Sequence, residues 1–170
     1  MVRGPTIGPV MIRLVARPYD DPDAQRLVRA LYAEQRQTYG FADPPSRDPA
    51  GDYAQPSGLF LVAYTSTGLP MGCGGCRTYD QGEYVAEVRK MYVDPDQRGH
   101  GLGRRILNHL EQDAAGRGAR KMLLETGALN VSAIRLYTAA GYLPIPSYVQ
   151  GRRKANRAFA KTLQDADHAR

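Results

Sequence analysis

Cysteine is scarce in this sequence, and the scarcity narrows its chemistry first. The chain has two cysteines, Cys73 and Cys76, in "MGCGGCRTY". A C-x-x-C pair that works in redox chemistry usually opens a helix after a strand. This one falls inside a predicted strand, where residues three apart point to opposite faces. A zinc site would need further ligands at matching spacing. Both observations favour two small buried residues and no metal centre. Long apolar runs are also lacking. None approaches the ~18 residues of a membrane span, so no membrane partner is expected. The opening stretch, "MVRGPTIGPVMIRLVARPYD", carries an arginine within its apolar part and no clear cleavage site. It does not read as a signal peptide, and a cytoplasmic location is the expectation. There is no internal repeat.

What is present fits one domain. A chain of 170 residues is the size of a single domain, expected over residues 1–164 with a polar tail at 165–170. The net charge of +6 is unevenly spread, +2 over residues 1–150 and +4 over residues 151–170. The body is nearly balanced. The basic end reads as a solvated terminus, and a nucleic-acid role rests on it alone.

Periodicity predicts a strand over residues 10–16. It then predicts an amphipathic helix over 24–39, with Leu27, Val28, Leu31 and Tyr32 at helical spacing. Residues 40–56 are rich in Pro, Asp and Gly and read as a long loop, of the kind that often carries function. Strands follow at 59–65, 71–79 and 83–93, joined by turn chemistry into an antiparallel meander. A helix over 101–115, a short strand in "RKMLLET" and a helix in "NVSAIRLYTAAGY" come next. A last hairpin is predicted over 143–149 and 155–163. The strand–helix–strand segment implies a parallel crossover. The fold class is therefore α/β (α+β), a mixed and mostly antiparallel sheet of six to seven strands with about four helices.

The most informative stretch is "MYVDPDQRGHGLGRRIL". A strand ends, and Gly99, Gly101 and Gly103 stud the loop that opens a helix. Helix N-termini expose unpaired N–H groups and partial positive charge. Glycines let an anion approach them. Arg98, Arg104 and Arg105 add charge, so a phosphate-bearing ligand is expected. The loop is not a P-loop, since no G-x-x-x-x-G-K-[ST] occurs. A dinucleotide fingerprint would need glycine where Arg104 stands.

At "RGHGLG" the chain resembles the GNAT superfamily of N-acetyltransferases, whose acetyl-CoA motif is Q/R-x-x-G-x-G/A. "MYVDP" is similar to that family's fourth strand. "NVSAIRLYTAAGY" resembles its later N-x-x-A-x-x-L-Y motif. The resemblance is strongest over residues 83–142. It implies acetyl-CoA as co-substrate. Backbone groups of Met91, Tyr92 and Val93 would pair with the pantetheine arm. The amides of Arg98, Gly99, His100, Gly101, Leu102, Gly103 and Arg104 would hold the pyrophosphate, and Asn130 would touch the CoA arm. Tyr137 matches a general acid toward the thiolate. Glu87 matches a glutamate that acts as base, often through water.

Direct transfer needs a base for the amine proton, a donor for the developing oxyanion and a proton for the thiolate. Strand alternation puts Glu87 on one face with Arg89, Met91 and Val93, and Glu83 is the weaker alternative base. His100 is read as a loop residue lending its amide; Tyr32, Tyr39 and Tyr148 are candidates for an acceptor pocket outside the main assignment, and periodicity also explains Tyr32 as core. The resulting expectation is acetyl transfer to a small-molecule amine, or to a protein amine, in a ternary complex without a covalent enzyme intermediate. Its rivals are a longer acyl-CoA or a tRNA-linked donor, or a CoA-binding regulatory module. Relatives commonly pair, so a homodimer is also expected.

Overall fold

Alternating apolar residues between positions 58 and 93 build the centre of the fold. The structure, a computed structural model, describes residues 11–152 and 154–163. Strands β1 (Arg13–Ala16), β2 (Gly58–Tyr64), β3 (Pro70–Asp80) and β4 (Val85–Val93) lie side by side and antiparallel. β5 (Lys121–Gly127) returns parallel to β4 after a helix. β7 (Asn156–Thr162) and β6 (Leu143–Ile145) complete a sheet of seven strands, in the order β1-β2-β3-β4-β5-β7-β6.

Three α-helices flank this sheet: α1 (Pro22–Tyr39), α2 (Leu102–Gly116) and α3 (Val131–Ala139). About four were expected. The Pro-rich segments form only short 3₁₀ turns at Pro45–Arg47, Ala50–Tyr53 and Pro95–Gln97, because proline removes the donor that a longer helix would use. Helix α1 starts earlier than its apolar spacing predicts. Asp21 caps it, accepting from the amides of Asp23 at 2.9 Å and Ala24 at 3.3 Å, and Pro22 occupies the first turn. The last hairpin is shorter than expected. Pro146, directly after β6, cannot donate to a ladder. Val10, at the start of the predicted first strand, and the tail at 165–170 lie outside the described residues.

The period-two alternation sends the two faces of the sheet into separate cores. Leu61, Val88, Met122 and Leu124 meet Leu102, Ile106, Leu107 and Leu110 of α2. Phe60, Val62, Cys73 and Tyr92 meet Leu27 and Val28 of α1. Cys73 and Cys76 fall in different cores, as their spacing predicts. Each fully buried leucine or isoleucine contributes ~1.5–3 kcal/mol. Close approach of α2 depends on Gly74, where a Cβ would come within 2.5 Å of Met91 Sδ and 2.8 Å of Ile106 Cγ2.

The feature that creates a site is where β4 and β5 separate. Their ladder runs only from Val85↔Lys121 to Glu87↔Leu123. β4 then continues to Val93 and β5 to Gly127 with no further pairing between them. A breach opens in the middle of the sheet, with β4 presenting an unpaired edge to it.

Candidate active site

A bulge in β4 decides which side chains face which side of the breach. Cys73 pairs with Tyr92 and Gly75 with Arg89, so Lys90 and Met91 together oppose Gly74. Lys90 takes φ 57°, uncommon for a residue with a Cβ, and such outliers cluster at functional sites. The extra residue resets the alternation. Glu87 and Arg89 lie on the α1 side, where Arg89 bonds Asp48. Met91 and Val93 pack against the α2 core instead. The expectation that Glu87 shares a face with Met91 and Val93 is thus corrected, and only Arg89 remains with it.

On one side of the breach lies a cavity of about 320 Å³. Its walls include Met91, Tyr92 and Val93 on the β4 edge, the loop after β4, Asn130 and Tyr137. Among the described residues, no backbone N–H from Gly99 to Arg104 donates to a protein acceptor, and the first helical bond is Arg105 N–H to Gly101 C=O at 3.1 Å. Gly99 and Gly101 take φ 81° and 80°. A Cβ at either would meet nothing within 4 Å, so the backbone angle, not packing, calls for glycine there.

Arg98 does not hang free as an anion partner. It donates from Nε to the Val93 carbonyl at 2.8 Å and from Nη2 to Glu34 at 2.7 Å. Its guanidinium lies 5.7 Å from the Tyr92 ring centre. This ties the loop to α1 and stiffens it. Arg104 bonds Asn108, and Leu102 and Gly103 line the cavity. His100 is exposed and outside the cavity lining, which leaves its amide as what it offers. Asn130 caps α3, its Oδ1 accepting from Ala133 N–H at 3.1 Å and Ser132 Oγ at 3.2 Å. Tyr137 is 5% exposed and stacks edge-on with Tyr142 at 5.9 Å. Burial pushes its phenol well above the usual range, which keeps it protonated.

Adjoining it is a smaller cavity of about 110 Å³, lined by Tyr39, Asp43, Glu87, Arg89, Glu125 and Arg152 among others. Val88, Arg89, Lys90, Glu125 and Thr126 line both cavities, so the two meet at the breach. Helix α1, the loop at 40–56 and the start of β7 all contribute to its walls.

Glu87 is 2% exposed. Its Oε2 accepts from Arg77 Nε at 3.0 Å and its Oε1 from the Tyr148 hydroxyl at 3.0 Å. Burial, then the Glu87 charge, pushes the Tyr148 phenol up. Asp48 anchors the 40–56 loop to β4. It accepts from Tyr53 Oη at 2.6 Å and Arg89 Nη2 at 3.2 Å, and it pairs with Lys90 Nζ at 3.4 Å. Burial pushes the Lys90 ammonium down. Burial opposes charge on Asp48 as well, but the Tyr53 hydrogen bond and the Arg89 and Lys90 charges outweigh it and hold its carboxyl below the usual range. Sequence reasoning missed Asp43, Asp48, Arg77, Glu125 and Arg152. Only Glu125 carried a signal, as a carboxylate inside an otherwise apolar strand.

A strand edge is left open beside a loop of unspent amides, with charged side chains across the breach. The chain belongs to the acetyltransferase (GNAT) family, whose profile matches residues 28–142. It is an acyltransferase enzyme of the N-acetyltransferase class. It is 32% identical to the N-acetyltransferase YjgM of Escherichia coli over 139 residues, 79% of this chain and 81% of that one. It is 40% identical to an IAA acetyltransferase of Azospirillum brasilense over 89 residues. That match spans 52% of this chain and 57% of the Azospirillum protein. The crystal structure of an acyl-CoA N-acyltransferase from Klebsiella pneumoniae superposes with a TM-score of 0.75 at 26% identity, covering 91% of this chain and 99% of that one. Acyl-CoA is the family's co-substrate. The residues present fit it, since the Gly99–Arg104 amides are unspent and the β4 edge is free.

Proposed function

We propose that the enzyme transfers the acetyl group of acetyl-CoA directly to the primary amine of a small molecule, within a ternary complex. One observation carries this reading: the two cavities adjoin at the breach and share Val88, Arg89, Lys90, Glu125 and Thr126 as walls. Donor and acceptor can then be held together, and positioning alone removes much of the barrier. The modest volume of the second cavity, about 110 Å³, supports a small acceptor.

Acetyl-CoA brings an activated thioester. In the proposed assignment, the edge groups of Met91 to Val93 align the carrier arm like an added strand. The amides of Gly99, His100, Gly101, Leu102, Gly103 and Arg104 receive the pyrophosphate, while the Arg98 amide is spent on the Pro95 carbonyl at 3.4 Å. Asn130 meets the arm with the atoms its capping bonds leave over. As the amine nitrogen bonds to the carbonyl carbon and the carbon–sulfur bond breaks, Glu87 takes the amine proton through water. Tyr137 gives its proton to the leaving sulfur.

The test is a panel of primary amines with acetyl-CoA, read by thiol release. Amine-dependent release supports the proposal. Tight CoA binding with no release for any amine or acyl chain length would identify a binding module and overturn it.

A further inference from the structure

Among the described carboxylates that line the two cavities, Glu125 alone has a buried oxygen with no hydrogen bond. Its side chain is 10% exposed and lines both cavities. Oε1 accepts from Arg152 Nη1 at 2.9 Å. Oε2 is buried and accepts no hydrogen bond among the described residues. Leaving a buried carboxylate oxygen unpaired costs its full desolvation penalty. Glu87, by contrast, has both oxygens engaged and lines only the smaller cavity. Glu111 also carries an unbonded oxygen but lines neither cavity.

The fold explains how Glu125 came to stand there. On β5, Met122 and Leu124 belong to the α2 core, so Leu123 and Glu125 face the other side. Leu123 is the last β5 residue to pair with β4. Glu125 lies two residues on, past the end of the ladder. Its other neighbour is the small Ala158 of β7, and Arg152 holds its remaining oxygen while also pairing with Asp43. That fixes the carboxylate and leaves Oε2 for a ligand that donates N–H.

We propose that Glu125 is the direct contact for the acceptor: Oε2 takes an N–H of the reacting amino group and orients its lone pair toward the β4 edge. This rests on the acetyltransferase reading above. Glu125 binds and aims the nitrogen, whereas the proposed Glu87 role concerns where the proton goes.

The probe is n-butylammonium, titrated into the ¹⁵N-labelled full chain at neutral pH and followed by amide shifts. Binding in the millimolar range is expected, with shifts centred on residues 125–127 and 87–90. Glu125→Gln keeps the shape and removes the charge, so affinity should fall about tenfold or more. With an acceptor from the amine panel, Glu125→Gln should raise KM for the amine and leave KM for acetyl-CoA unchanged. Shifts centred elsewhere, none well above the millimolar range, or equal affinity in Glu125→Gln would overturn the assignment. Acetyl-CoA added to the same samples reports separately on residues 98–104. Failure there removes the acetyltransferase reading without touching the butylammonium map.

Discussion

Tyr137 and Glu87 are the residues on which the proposed chemistry turns, and each predicts a separable defect. Tyr137→Phe keeps the ring in its core position and removes the donor. Its single-turnover rate should fall ~10- to 10³-fold while calorimetric affinity for acetyl-CoA stays the same. Because burial holds the phenol protonated, the wild-type pH–rate profile should show no alkaline limb from this group below about 10. An unchanged single-turnover rate would mean that water protonates the sulfur. Glu87→Gln should cost ~10²-fold at neutral pH and progressively less at higher pH, where the amine is already neutral. A loss of the same size across the pH range would instead mark a structural role, since Glu87 also neutralises Arg77.

At the scale of the element, what the sequence revealed follows from what period and motif can encode. The α2 stripe of Leu102, Ile106 and Leu110 was legible because three buried residues recur at helical spacing. The glycine loop was legible because a positive φ at Gly99 and Gly101 restricts the residue type. The bulge was not, because Lys90 is a residue whose identity gives no warning of φ 57°, and one inserted residue reverses every face assignment after it. The acceptor side was hidden for another reason. Asp43, Asp48 and Arg152 come from loops, and the Asp48–Arg89, Arg152–Glu125 and Arg152–Asp43 pairs join residues 27 to 109 positions apart. The Asp48 cluster makes the 40–56 loop part of β4's support, and its strength should show in acid. The folded-state pKa of Asp48 is below its ordinary value. The unfolded chain therefore binds the proton first, and stability rises with pH through that window. The contribution is complete above the unfolded carboxylate pKa of about 3.9 and is lost as pH falls through the lower folded value. Urea unfolding from neutral pH down to acid should show this fall. Asp48→Asn should lower stability by roughly 3 kcal/mol at neutral pH, by stranding Arg89 and Lys90. It should also flatten the acid slope. A slope as steep as wild type would assign the acid sensitivity to other carboxylates.

For the molecule as a whole, the open edge of β4 means that the sheet is completed by what binds it. Acetyl-CoA at a hundred times its dissociation constant should add about 2.7 kcal/mol. For a chain of this length that is roughly 5–10 °C in melting temperature. Scanning fluorimetry with and without acetyl-CoA tests this, and a shift that survives in Tyr137→Phe would separate binding from chemistry.

An unpaired strand edge is ordinarily a hazard, because it offers any other extended chain a place to add itself. Here the hazardous edge is recessed between β4 and β5, walled by α1 on one side and α3 on the other. A second folded protein cannot bring a sheet to it, while a single thin, flexible arm can. The breach therefore works as a sieve. It turns an edge that would invite strand addition into one that a linear ligand can reach.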